Sequence, residues 1–161
     1  MKFFKTALFC AALICAAPVF AQTDINLGAI NADPTAPVEI TADSLSIDQA
    51  SGTAIFIGNV VFGQGDLRLN AARVQVIYND ASGDISRLSA SGGVTFATAT
   101  EAAEALTADY NLDTGTLELA GDVLLTQGAS AISSDTMRVN LSDGSAQMEG
   151  RVRTIFNQGN N

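Results

Sequence analysis

The sequence predicts an all-β protein made of short antiparallel strands, on three observations. Apolar and polar residues alternate with a period of two along most of the chain, as in the stretch GNVVFGQGDLRLNAARVQV that begins at Gly58. Gly, Asp, Ser and Asn cluster between the alternating stretches, and a Gly-x-Val motif recurs along the chain. Such alternation is typical of half-buried strands, and the residues between the stretches are typical of hairpin turns.

Residues 1–21 have the features of a signal peptide. Lys2 and Lys5 give a positive start, and the apolar stretch TALFCAALICAAPVF is shorter than the ~20 residues that span a bilayer. Val19 and Ala21 are small residues of the kind that precede a cleavage site, so we expect cleavage before Gln22 and export. An uncleaved membrane anchor is the alternative.

The rest of the chain divides into three parts. Residues 22–37 are polar and contain two prolines, which predicts a flexible segment. Residues 38–156 carry the alternating pattern and should form one domain, and residues 157–161 are a short polar tail.

About fifteen short segments of the domain alternate and are expected to be strands. They are VEITA, SLSID, TAIFI, NVVF, DLRLNA, RVQVIY, SRLSAS, GVTFAT, ALTADYNL, TLELA, DVLLTQ, SAIS, TMRVNL, AQMEG and RVRTIF, with turn-like DQASG, GQG, NDASGD, LDTG and LSDG between them. The alanines and glutamates of TATEAAEALTADY also suit a short helical turn. So many short strands predict a jelly roll, a barrel or a stacked roll.

The Gly-x-Val motif behaves as an internal repeat. It begins at Gly58, Gly92, Gly121 and Gly150, so successive copies are 34, 29 and 29 residues apart. A second element accompanies each copy, as ITADSLSID, LNAARVQV, LTADYNLD and ISSDTMRV. A period in this range predicts stacked units of a few strands, each of which buries its apolar face on its neighbours.

One face of these strands should form a continuous interior. For any single residue a packed core is the simpler interpretation, but the set as a whole is a mostly aliphatic lining that could leave a slot for a chain-like ligand. The expected ligand-lining residues are Val38, Ile40, Leu45, Ile47, Phe56, Val60, Phe62, Leu67, Leu69, Val74, Val76, Val94, Phe96, Tyr110, Leu112, Leu119, Val123, Leu125, Met137, Val139, Met148 and Phe156, and the same inward set includes Leu88, Leu106, Leu117, Ile132 and Val152.

The composition excludes several kinds of chemistry. From Gln22 onward the chain has no Cys, His or Lys, and loss of the two lysines takes the formal charge from −9 to −11. Disulfides, Cys/His metal sites and His-dependent nucleophiles are therefore excluded, and a strongly acidic chain does not suit nucleic acid. We expect no enzyme, no cofactor and no metal site.

Two sets of carboxylates are the remaining candidates for chemistry. Asp43, Asp109 and Asp135 recur in the second element and could suggest calcium, but equivalent positions in stacked units would be spread along the stack. Glu101 and Glu104 could suggest a glycosidase pair, but a solvated face is the simpler interpretation.

The domain resembles a known family. The segment from Val38 to Tyr78 is similar to the start of the OstA-like domain of the LptA family, with the pattern formed by Ala42-Asp43-Ser44, Phe56, Gly58-Asn59-Val60, Gln64-Gly65, Leu67, Leu69 and Ala71. ALTADYNLDTGTLELAGDVLLTQG resembles the second copy of that pattern through Tyr110, Leu119, Gly121 and Val123. The likeness extends over about Val38 to Phe156.

The resemblance implies a fold and a function. The fold would be an open, twisted β-jelly roll, a V-shaped trough of about 16 short antiparallel strands. Its interior would hold the acyl chains of lipopolysaccharide in the periplasm. Copies would join head to tail, and to LptC-like inner-membrane and LptD-like outer-membrane partners, by strand pairing at edges that include Glu39, Ile40, Arg151, Arg153 and Ile155.

This sequence also departs from the family pattern, because it is short and has no lysine for the lipid phosphates. Alternatives to a lipopolysaccharide carrier are an OstA-domain protein with another lipid or an LptC-like role, and a secreted structural or adhesive β-repeat protein with a closed, dry core. A hydrolase is disfavoured by the lack of histidine and the poor spacing of its carboxylates.

Overall fold

The computed structural model describes residues 24–26, 33 and 35–156, and within them the chain is entirely β. Eleven antiparallel strands belong to one sheet. They are β1 (Asp24–Asn26), β2 (Val38–Thr41), β3 (Ser44–Asp48), β4 (Thr53–Gln64), β5 (Leu67–Tyr78), β6 (Ile85–Ala97), β7 (Glu101–Asn111), β8 (Thr116–Gln127), β9 (Ser130–Asn140), β10 (Ser145–Glu149) and β11 (Arg153–Phe156). The predicted all-β antiparallel architecture is confirmed.

The sheet is open, and its order follows the chain except at β1. Strands β4 to β9 pair consecutively as hairpins, with β2 and β3 both on the free side of β4 and with β10 and β11 both on the free side of β9. Strand β1 pairs with β10, at the end of the sheet opposite β2. We call β2 and β3 the N-terminal end of the sheet, and β10 and β11 its C-terminal end.

Every long strand bends at the same level of the sheet. In β4, Gly58 and Asn59 have φ angles of 83° and 46°, and these two residues stand opposite the single residue Ala72 of β5. The same two-against-one arrangement places residues 92–93 opposite Leu106 and residues 121–122 opposite Asp135. These are β-bulges, which bend a strand without ending it.

The bends fold the sheet into two facing layers. Each long strand contributes one half to each layer. Layer A consists of β1, β3, β10 and residues 53–57, 73–78, 85–91, 107–111, 116–120 and 136–140. Layer B consists of β2, β11 and residues 60–64, 67–71, 94–97, 101–105, 123–127 and 130–134. The hairpin turns of the two layers form two rows on the side away from the bends. We call this the open side, because no strand pairing among the described residues joins its two rows of turns.

The bulges also keep apolar residues inside both layers. In β5 the buried positions are Leu67, Leu69 and Ala71 before the bend but Val74 and Val76 after it, so the alternation shifts by one residue. A one-residue shift turns a strand's side chains to the other face. Because the strand also folds over at this point, both halves still direct their apolar side chains between the layers.

The strands differ in detail from the expectations. The described residues form eleven strands, fewer than the expected number of about fifteen to sixteen, because pairs such as TAIFI and NVVF are two halves of one bent strand, here β4. Most of TATEAAEALTADY is strand β7, so the structure does not have the alternative short helical turn there. Strand β1 lies within the segment that was expected to be flexible. The signal peptide, its cleavage site and the tail at 157–161 lie outside the described residues.

One buried carboxylate holds a turn on the open side. Glu101 is only 4% exposed and accepts hydrogen bonds from the hydroxyl of Thr98 at 2.8 Å, from the hydroxyl of Thr100 and from Nε2 of Gln127 at 3.2 Å. Burial alone would raise the pKa of Glu101, but these three hydrogen bonds outweigh it and hold the pKa below its usual value. The charged carboxylate therefore links the β6–β7 turn to β8.

Two adjacent glycines test the bend. Gly92 and Gly93 have φ angles of 86° and 84°, and a Cβ on Gly92 would lie 2.7 Å from the Cβ of Ala72, whereas a Cβ on Gly93 meets no atom within 4 Å. Gly93→Ala should cost about 1–2 kcal/mol of unfolding free energy from its backbone conformation alone. Gly92→Ala should cost about 1–3 kcal/mol more, because it also overpacks the bend. Urea unfolding of both variants measures this, and equal losses would contradict the proposed close packing.

The hydrogen-bonded Glu101 predicts a pH-dependent contribution to stability. Because its folded pKa is lowered, the contribution is complete above the unfolded value of about 4.3 and is lost as the pH falls through the folded pKa. Glu101→Gln should cost about 1–2 kcal/mol at neutral pH, and the difference from the wild type should shrink in acid. Urea unfolding at several pH values, with exposed Glu104→Gln as the control, measures this. A difference that grows in acid would contradict it.

Candidate functional site

The space between the layers is lined by continuous apolar rows that cross the strands. In layer A one row is Leu45–Phe56–Val74–Ala90–Ala108–Leu119–Met137–Met148, in which each residue is paired with the next. In layer B the matching apolar row is Ile40–Phe62–Leu69–Phe96–Ala103–Leu125–Ile132, and it ends at the polar, exposed Thr154 of β11. The interior therefore has a long axis that runs from one end of the sheet to the other.

The two layers contact each other through the side chains of this interior. The rings of Phe62 in layer B and Tyr110 in layer A pack edge to face, with centroids 6.1 Å apart. The Tyr110 hydroxyl donates a hydrogen bond of 3.1 Å to Oε1 of Gln64 in layer B. Burial raises the pKa of this hydroxyl, which keeps it protonated as a donor. We call this contact the Tyr110–Gln64 bridge.

The bridge lies near the open side. Gln64 is the last residue of β4, next to a turn of layer B, and Tyr110 precedes the last residue of β7, next to a turn of layer A. A surface cleft lies between the two rows of turns there, and its walls include Val38 and Gln64 from one layer and Ile85 and Leu112 from the other. Access to the interior from this side is therefore governed by contacts between side chains and not by strand pairing.

No described strand covers the interior at the N-terminal end. Leu45 and Ile47 of β3 pair with Phe56 and Ala54, so they belong to the inward face of layer A. They are nevertheless 52% and 64% exposed, because no described strand lies beyond β3. Met148, at the other end of the row, is 6% exposed. The apolar lining thus continues to an open edge at one end of the sheet.

The structure brings most of the expected lining residues together in one core. Val38, Ile40, Phe56 and Leu112 are half-buried and pack against that core. The Phe156 backbone pairs with Ser130, and its side chain lies outside the described part of the structure. The fully buried members are Val60, Phe62, Leu67, Leu69, Val74, Val76, Leu88, Val94, Phe96, Tyr110, Leu117, Leu119, Val123, Leu125, Ile132, Met137, Val139 and Met148.

Two residues of the inward set were assigned to the wrong place. Leu106 is 56% exposed and lies over Gly121, because it is the single residue opposite a bulge and its side chain turns away from the interior. Val152 is 47% exposed, because it follows the last bend at the free C-terminal end, whereas the equivalent Val60 and Val123 lie between neighbouring strands.

The expected partner edges lie at the two ends of the sheet, with one correction. Glu39 and Ile40 are in β2, and Arg153 and Ile155 are in β11. Arg151 is not in a strand, because it forms the last bend with a φ of 43° and is ion-paired to Asp135.

Three ion pairs among the described residues lie on the outer surface of the sheet. Arg87 is ion-paired to Asp109 on the outer face of layer A, and Arg138 is ion-paired to Glu118 at 2.6 Å on the same face. Asp109 is therefore not equivalent to Asp43 and Asp135, which lie at bends. Among the described residues, no group of three or more carboxylates could hold a metal ion, and no helix is long and apolar enough to cross a membrane.

Sequence reasoning missed two features of the interior. The first is its many alanines, which include Ala54, Ala90, Ala103 and Ala108 at 0–3% exposure and which a search for large apolar residues passes over. The second is the Tyr110–Gln64 bridge, whose partners are 46 residues apart. Gln64 is a polar residue at an inward position of β4, and this was the feature of the sequence that could have indicated a buried hydrogen bond there.

Comparison with solved structures gives the same fold. LptH, the LptA-homologous periplasmic component of the lipopolysaccharide transport device of Pseudomonas aeruginosa, aligns with a TM-score of 0.71 at 16% identity, covering 79% of this chain and 99% of LptH. In sequence, an uncharacterized protein of Rhizobium meliloti, R00383, is 29% identical over 154 residues, covering 89% of this chain and 83% of that protein.

The family assignment comes from the sequence match over the domain. Residues 39–145 match the family described as LptA/(LptD N-terminal domain) LPS transport protein. The match covers both layers from β2 to the start of β10, and membership of a family of transport proteins confirms the expectation that the chain is not an enzyme. The chain belongs to the LptA/(LptD N-terminal domain) family of lipopolysaccharide transport proteins.

Proposed function

We propose that this protein is a periplasmic carrier that holds the acyl chains of lipopolysaccharide between its two layers and passes the lipid along a bridge of related domains. The observation that carries the proposal is the apolar lining that runs across the strands and reaches an uncovered edge at Leu45 and Ile47. Family membership supports the same conclusion.

The chemistry of the interior suits acyl chains. Withdrawing each CH₂ group from water contributes about 0.8 kcal/mol, so roughly ten buried carbons contribute on the order of 8 kcal/mol before the costs of association. This attraction has no preferred direction, and the paired rows of the two layers run the length of the sheet. A lipid held in this way can move along the interior without breaking hydrogen bonds to it.

Loading requires the layers to separate. Phe62 and Tyr110 pack against each other between the layers, and both are at most 3% exposed. The layers are joined covalently and by strand pairing through the bends, whereas on the open side they meet through side chains such as those of the Tyr110–Gln64 bridge. Opening at that side would therefore leave the strand pairing intact.

The lipid headgroup would contribute less to binding than the acyl chains. Three of the arginines, Arg87, Arg138 and Arg151, are ion-paired on outer surfaces, and Arg68 donates to the carbonyl oxygen of Leu67 at 2.8 Å. These guanidinium groups are engaged away from the interior.

The ends of the sheet suit assembly with similar domains. Strands β2 and β3 each pair on one side only among the described strands, and the exposed apolar residues of β3 would be buried by a neighbour. Strand addition to such an edge supplies backbone hydrogen bonds together with apolar burial. We propose that LptC-like and LptD-like partners, or further copies of this chain, join at the two ends.

Photo-crosslinking from adjacent residues of β3 tests the carrier mechanism. A photo-reactive amino acid at Ile47 faces the interior, whereas one at the neighbouring Ser46 faces outward, and both sites are exposed and tolerant of a bulky side chain. In cells that make lipopolysaccharide, Ile47 should give lipid adducts well above the background at Ser46. Immunoblotting with detection of lipopolysaccharide measures this.

A third position extends the test into the interior. Phe56 pairs with Leu45 and is half-buried, so a probe there should also give adducts once lipid is loaded. Adducts at neither Ile47 nor Phe56, in protein shown to be folded and exported, would support the closed, dry core of a structural protein.

The Tyr110–Gln64 bridge should slow the loading of lipid. Tyr110→Phe keeps the ring that packs on Phe62 but removes the hydroxyl donor, which should cost about 1 kcal/mol and raise the open population about fivefold. Stopped-flow uptake of a fluorescent fatty acid should be faster in this variant. The control is Tyr78→Phe, which changes the other tyrosine of the chain; equal acceleration by both variants would exclude a specific role for the bridge.

A further inference from the structure

Strand β1 occupies part of the edge at the C-terminal end. Asp24 pairs with Gln147, Ile25 with Ala146 and Asn26 with Ser145, on the side of β10 that faces away from β9. The other strand at this end, β11, pairs with β9 alone among the described strands. The edge of layer A is thus covered by the chain's own N-terminal segment, whereas no described strand covers the edge of layer B.

Strand β1 runs in the direction that β3 of a second copy would take. Seven antiparallel pairings separate β3 from β10, so a copy of β3 placed beside β10 in a continued sheet would be antiparallel to it. Strand β1 is also antiparallel to β10. It therefore lies in the place, and with the polarity, of the next strand in a head-to-tail stack.

The register makes the correspondence specific. Ile47 of β3 begins a row that continues through Ala54, Val76, Leu88, Tyr110, Leu117 and Val139 to Ala146. Ile25 is the residue paired with Ala146, so it takes the position in this row that Ile47 of a second copy would take. The residues on either side also correspond, since Asp24-Ile25-Asn26 stands where Ser46-Ile47-Asp48 would stand.

We propose that β1 is an intramolecular cap that imitates β3 of a neighbouring molecule and must leave β10 before another copy can join at the C-terminal end. The proposal rests on the end-to-end joining suggested above and adds a regulatory step to it. A single chain then has one open end, at β2 and β3, and one capped end, so that copies in isolation do not polymerise freely.

The cap is weak enough to be exchanged. It pairs through three residues, whereas an incoming copy offers five residues of β3 to β10 and four residues of β2 to β11. The incoming end also buries exposed Leu45 and Ile47. However, β1 is part of the same chain as β10, so it competes with β3 of another copy for the edge of β10 at an effective concentration in the millimolar range. Displacement therefore depends on the concentration of the partner end.

A disulfide lock tests the cap in the full exported chain. Asn26→Cys combined with Ser145→Cys places two thiols on directly paired residues of β1 and β10, and the chain from Gln22 onward contains no other cysteine. Sedimentation velocity over a range of concentrations should show that the oxidised protein stays monomeric. Reduction should restore the association of the wild type.

Two further variants complete the experiment. Ile25→Pro with Asn26→Pro removes the backbone donors of β1 on both sides, so β10 is exposed and association should tighten by about tenfold or more. Asn70→Cys with Thr95→Cys forms a control disulfide between exposed, paired residues of β5 and β6, away from both ends of the sheet, and its association should not depend on oxidation.

The outcomes separate the cap from the carrier function. Equal association of the oxidised and reduced lock, or failure of the lock to form in folded protein, would overturn the cap while leaving end-to-end joining in place. Absence of association in every variant, the proline variant included, would overturn the cap and end-to-end joining together. Lipid binding is decided independently by the adducts at Ile47.

Discussion

The structure depends on one backbone constraint, which is that the long strands must all bend at the same level. The paired residues Gly58 and Asn59 turn β4 through two consecutive positive φ angles, and Gly121 and Asp122 do the same for β8. Glycine adopts this conformation at no steric cost, and Asn and Asp tolerate it better than other residues. At the two glycines a neighbouring side chain also leaves no room for a Cβ. If the bends failed, the sheet would be flat and its apolar face would have nothing to cover it. The interior therefore exists because the backbone folds over in register.

The sequence predicted the interior well and the strand boundaries poorly, for the same reason. Alternation identifies which side chains share a face, and it correctly grouped Val60, Phe62, Leu67 and Leu69. The glycines looked like turns because turns and bulges both need positive φ. Whether a glycine belongs to a turn or to a bulge depends on the residues with which its strand pairs, and those residues are remote in sequence. The shift in alternation between Ala71 and Val74 was the local sign that β5 continues through a bend.

The position of β1 could not be predicted from local pattern. Three residues are too few for periodicity to indicate a strand, and the prolines that follow favoured a flexible segment. Strand β1 is held by the edge of β10, which exists only once the whole sheet has formed. The exposed apolar residues of β3 have a similar origin, since Leu45 and Ile47 fit the inward pattern and their exposure depends on the absence of a neighbour among the described strands.

The apolar row from Leu45 to Met148 has a kinetic consequence. Its residues recur at the strand spacing of about 4.8 Å, close to the length of four CH₂ groups. An acyl chain laid along the row would meet a similar aliphatic surface at each step, and the shortest side chains that it would pass are those of Ala90 and Ala108. Because dispersion contacts are individually small and no hydrogen bond has to be broken, the barriers between neighbouring positions would be low. If the proposed carrier function holds, the lining that provides the binding energy would also give little friction, and directed movement would have to come from a force that pushes lipid in at one end.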